Sequence, residues 1–102
     1  MIRNHAKSGV NGAPPDPLFL YLAWQSVHSG GNLQLQAPQS YVDGFTDTVE
    51  NPLRRHFAGM VRALDEGVGN VTEALEEAWM LQDSLSIFLT LTLTLIVVWD
   101  AR

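Results

Sequence analysis

Residues 51–83 read NPLRRHFAGMVRALDEGVGNVTEALEEAWMLQD, and the fold turns on them. Asn51 suits a helix N-cap and Pro52 the first helical position, where a missing N–H goes unnoticed. Apolar residues then recur at 53, 57, 60, 61, 64, 68, 71, 75, 78 and 79. Steps of three and four mark one face of an amphipathic helix. Arg55, Arg62, Asp65, Glu66, Glu73, Glu76 and Glu77 fall mostly off that face. Gly59, Gly67 and Gly69 interrupt the pattern, each costing about 1 kcal/mol relative to Ala. The pair at 67 and 69 predicts either a kink or a site where another backbone approaches closely.

The segments on either side read as strands. Leu18–Gln25, LFLYLAWQ, is apolar without alternation and lies between Pro17 and the Gly30-Gly31 pair. That pattern predicts a strand buried on both faces, as in a parallel sheet. Beyond the helix, residues 85–99 read LSIFLTLTLTLIVVW, with Leu and Thr alternating from 89 to 95. Alternation of period two predicts a strand with one dry and one hydroxylated face. A single strand of that length exceeds the usual range, and its lack of charge and proline makes it adhesive if exposed. Residues 1–16, punctuated by Gly9, Gly12, Pro14 and Pro15, read as a loop. PQSYVDGF, from Pro38, reads as one helical turn. The order is strand–loop–long helix–strand, an α/β pattern that predicts a βαβ crossover within a larger parallel sheet.

Composition narrows the function classes. The chain has 102 residues, enough for one small domain, and 46% are hydrophobic. Eleven acidic against six basic residues give a net charge of −5, which argues against nucleic acid or anionic lipid as partner. There is no cysteine, so disulfides, thiolate metal sites and a Cys nucleophile within these residues are excluded. The first 17 residues hold no apolar run and do not read as a signal peptide. Residues 85–99 fall short of the ~20 needed to span a bilayer and carry Ser86, Thr90, Thr92 and Thr94, so a membrane anchor is disfavoured.

Three blocks in order, PLFLYLAWQSVHSG, LQAPQSYVDGF and RRHFAGMVRALDEGVGNVTEALEEAWMLQDSLSIF, resemble the type I sulfatases, nearest the arylsulfatase B (N-acetylgalactosamine-4-sulfatase) group. The resemblance covers residues 17–88 and leaves 89–102 as a divergent tail. It implies that 17–102 is a fragment of a sulfatase catalytic domain, with an alkaline-phosphatase-like fold. Such enzymes hydrolyse sulfate esters, on sulfated glycans or aryl sulfates, and are lysosomal or secreted. Their nucleophile is a formylglycine made from the cysteine of a Cys-x-Pro-x-Arg motif, and a calcium ion held by Asp and Asn polarises the sulfate. By this resemblance His28, in QSVH, contacts the sulfate ester and donates a hydrogen bond or proton to it. An imidazole can do so near neutral pH, and ligands of α/β sheets gather at the carboxyl ends of strands.

The departures from the family are equally specific. The cysteine for formylglycine is absent, and so is the calcium motif: Asp100 is followed by Ala101. A lone carboxylate makes a poor calcium site, so no metal ligand is assigned. The expectation is a fragment without turnover of its own. An alternative from another class is a non-catalytic βαβ module that pairs through its Leu/Thr-rich C-terminal strand. His56 reads as structural or solvated, and Asp65 and Glu66 as a solvated helix patch or, for Asp65, a buried acid capping a neighbouring loop. Asn70-Val71-Thr72 is a glycosylation sequon, with Asn70 as acceptor.

Overall fold

A computed structural model describes residues 1–7, 9, 13, 15–89 and 94–100. In chain order the elements are α1 (Ile2–His5), β1 (Leu18–Ala23), α2 (Gln39–Asp43), α3 (Pro52–Glu77), β2 (Ser84–Leu89) and β3 (Thr94–Trp99). Short 3-10 turns lie at Gly31–Leu33 and Leu81–Asp83. The chain forms two compact units, one of Met1–Ala23 with Val68–Arg102 and the other Trp24–Gly67. The helix α3 contributes residues to each.

The first unit is built on a three-stranded sheet of order β1-β3-β2, antiparallel at both junctions. Leu18, Leu20, Leu95, Val97 and Trp99 share one face and are buried. Ala74, Leu75, Met80 and Ile2 are the other buried apolar residues of this unit. The expected parallel pairing is therefore corrected. β1 and β2 do run in the same direction, as a crossover through α3 requires, but β3 lies between them and reverses against both. The cause is the division of 85–99 into two strands, which pair with each other and so satisfy each other's backbone groups. Part of the Leu/Thr alternation, residues 90–93, lies outside the described residues.

Two further expectations change for the same kind of reason. β1 is not buried on both faces: Phe19 and Tyr21 are exposed while Leu18 and Leu20 are buried. An antiparallel sheet covered on one side alternates in this way. The 1–16 segment is not all loop either, since α1 forms one helical turn with Ile2 buried. Nothing in the first seven residues breaks a helix, and burying Ile2 holds the turn down. Arg3 Nε donates to the Glu77 carboxylate, pairing α1 with the end of α3. That hydrogen bond and the adjacent positive charge hold the Glu77 carboxyl below its ordinary range. His5 Nε2 donates to the Asp16 carbonyl at 2.7 Å, and its ring meets Trp99 edge-on at 6.0 Å.

The second unit joins α2 to the first part of α3. Asn51 caps α3 as expected, its Oδ1 accepting from Leu53 N at 3.0 Å and Arg54 N at 3.1 Å. Arg55 braces the approach by donating to the Val49 and Glu50 carbonyls. Pro38 stands at the N-cap of α2, and Val42, Met60 and Leu64 form the buried core.

α3 runs as one helix from Pro52 to Glu77, through Gly67 and Gly69. No backbone approaches that pair: Gly67 meets the side chain of Trp24, and a Cβ on Gly69 would meet nothing within 4 Å. A Cβ on Gly67 would stand 2.9 Å from Trp24 Nε1, and one on Gly59 3.3 Å from Val42 N.

Candidate functional site

The QSVH motif forms a tight turn. His28 N donates to the Gln25 carbonyl at 3.3 Å, closing a four-residue reversal. Val27 occupies its third position with φ of 64°. That region favours glycine, and a β-branched side chain there is strained, at a cost of about 1–2 kcal/mol. The strain sits directly beside the candidate residue. A second reversal follows at once: Gly30 N donates to Gln34 O at 2.9 Å, and Asn32 also has φ of 64°. His28 itself is exposed. Its imidazole is held out by two consecutive turns of a loop rather than by a regular element, a placement typical of groups that meet ligands.

His56 and Glu66 of the second unit are tied into the structure, and Asp65 is not. His56 Nδ1 donates to the Pro52 carbonyl at 3.0 Å, within the first turns of α3. Asp65 is exposed, as expected of a solvated patch. Glu66 does more than its position suggested, because Tyr41 Oη donates to its carboxylate. Arg62 lies over the Tyr41 ring at 5.2 Å. The Glu66 hydrogen bond, then partial desolvation, raises the Tyr41 phenol above its ordinary value. Nothing in the sequence announced this trio, since Tyr41 is 25 residues from Glu66.

In the first unit, Asn70 is exposed on α3, and Thr72 of its sequon spends its hydroxyl on the Val68 carbonyl at 3.0 Å. A cavity of about 630 Å³ is lined by Glu73, Glu76, Glu77, Trp79, Leu81 and Gln82. Three carboxylates repel an anion, so this cavity is unsuited to a sulfate group. Among the described residues no three His, Asp or Glu side chains gather to hold a metal ion.

No protein-family model matches the chain, and no solved structure matches it. Arylsulfatase J of Mus musculus is 41% identical to it over 75 residues, 74% of this chain and 12% of that protein. The chain thus spans about an eighth of the length of the curated relative it matches.

Proposed function

We propose, from the premise that a 41% likeness to arylsulfatase J supports sulfatase family membership, that this chain is a segment of an arylsulfatase-like sulfuric ester hydrolase. The parent would act on a sulfate ester, carried by a sulfated glycan or an aryl group. The QSVH and FAGMVRALDEGVGNVTEAL blocks favour the arylsulfatase B group within the family. In the parent, His28 meets the ester oxygen and supplies it with a hydrogen bond or a proton as the bond to sulfur breaks. The observation that supports the role is the strained turn, in which Val27 at φ 64° holds His28 exposed. Backbone strain of this kind gathers at working sites.

The formylglycine and the calcium of the family belong to other parts of the parent. These residues contain no cysteine and no metal-binding cluster among those described. The isolated chain is accordingly expected to show no turnover of a chromogenic aryl sulfate. The parent's lysosomal or secreted location, and a glycan at Asn70, are part of the same proposal.

A chimera tests the role of His28. The segment of arylsulfatase J that matches this chain is replaced by residues of this chain, and sulfate ester hydrolysis is measured. Loss of a general acid or its hydrogen bond costs about 100-fold or more in rate. His28→Ala in the active chimera is expected to cost at least that in kcat, and His28→Gln somewhat less. A folded chimera whose rate is indifferent to His28 would overturn the assignment.

A further inference from the structure

Three residues lie between Trp24 and His28, and their torsions decide where the imidazole stands. Trp24 is fixed at one end. Its ring fills the space beside α3 that Gly67 leaves, where a Cβ would stand 2.9 Å from the indole nitrogen. His28 N closes the turn on the Gln25 carbonyl, so Ser26 and Val27 are its two central residues. Only Val27 of these two has a positive φ, the pattern of a type II turn, whose third position calls for Gly or Asn. Valine is the contrary choice, because a β-branched side chain crowds the left-handed backbone and is stiff at χ1. Ser26 and Val27 are half-buried, whereas Gln25 and His28 are exposed. On the far side, Gly30 N donates to Gln34 O at 2.9 Å and closes the second reversal. Strain of this sort persists only where the surroundings over-determine the backbone, and here the Trp24 packing and the second reversal bracket the turn.

We propose that Val27 is the positioning residue of His28: a stiff side chain, held in a left-handed turn between two fixed points, confines the imidazole to one place. Glycine would satisfy the same φ without strain, but it takes either sign of φ freely and would let the turn wander. A residue with a Cβ has only a small left-handed region open to it, so Val27 and the residue after it are held narrowly. The stability given up is local. What it yields is a narrow spread of positions for a group that must meet a reacting atom. This role rests on the reading of His28 as the residue at the ester oxygen. Val27 does not touch the substrate in this scheme and acts through His28.

Two measurements test this. On the full chain, nitrogen-15 relaxation reads the order parameter of the His28 amide. It is expected near the rigid value of about 0.85 in the wild type and below about 0.6 in Val27→Gly. The urea midpoint of the variant is expected to rise at constant m-value, because the strain is gone. A His28 amide equally ordered in both proteins, or mobile in the wild type, overturns the proposal. So does a lower midpoint, which would make Val27 a packing residue. In the arylsulfatase J chimera that carries this chain's residues, Val27→Gly is expected to lower kcat about tenfold, short of the ~100-fold that a misplacement of about 1 Å costs. KM is expected to stay within about twofold. In the His28→Ala background the same substitution is expected to change kcat by less than about twofold, since no imidazole is left to place. An equal loss in both backgrounds overturns the proposal, as does a raised KM with kcat unchanged. So does a kcat indifferent to Val27 where His28→Ala is costly. A rate indifferent to His28→Ala overturns the reading of His28 instead, and the order parameters then still decide whether Val27 holds that residue.

Discussion

Trp79 shows how one residue can be kept where its chemistry is wrong. At the end of α3, Trp79 N donates to Glu76 O and Met80 N to Leu75 O, both at 2.9 Å. This is the Schellman arrangement, whose left-handed position is usually glycine. Trp79 fills it with φ of 58° and is 87% exposed, so the ring recovers little by burial. Trp79→Gly removes a left-handed penalty of about 1–2 kcal/mol and adds a smaller cost in unfolded-state entropy. The variant is expected to be more stable by about 0.5–1 kcal/mol, read from the urea midpoint at constant m-value. A loss of stability would show that the indole makes contacts outweighing the strain. Val27 bears the same strain in the QSVH turn. There a gain in stability would be set against the position of His28.

At the scale of the element, the glycines of α3 separate two reasons for one residue type. Gly67 lies against the Trp24 ring, whereas a Cβ on Gly69 would meet nothing within 4 Å. Gly69→Ala is expected to stabilise by about 1 kcal/mol through helix propensity alone. Gly67→Ala gains the same propensity but forces the indole aside, so its net effect is expected to be destabilising. Thermal melts of the two variants should move in opposite directions, and a shared direction would remove the packing account. The helix itself was legible because its signals are local: Asn51, Pro52 and a 3.6-residue period. The turn at Pro38 was legible for the same reason. The sheet order was not, because a strand's partner is chosen at long range. Residues 85–99 look like one strand until the chain is seen to fold them back as two. The candidate site divides similarly. QSVH marked His28, but the positive φ of Val27 runs against its residue type and leaves no trace in the sequence.

For the whole molecule, the acidic balance sets how the fold answers to acid. The net charge is −5, and Arg3 pairs with Glu77, tying α1 to the end of α3. The hydrogen bond from Arg3 and its positive charge lower the folded Glu77 carboxyl below its ordinary value, so the folded chain holds that proton less tightly than the unfolded chain does. The stability this adds is present above the ordinary carboxyl value and is lost as the pH falls through the lowered one. Both side chains are half exposed, so the effect is small and salt weakens it. Urea midpoints of the wild type and of Glu77→Gln are therefore expected to differ at pH 7 and to converge as the pH falls below about 4. A difference that persists in acid would show that Glu77 acts through packing and not through its charge.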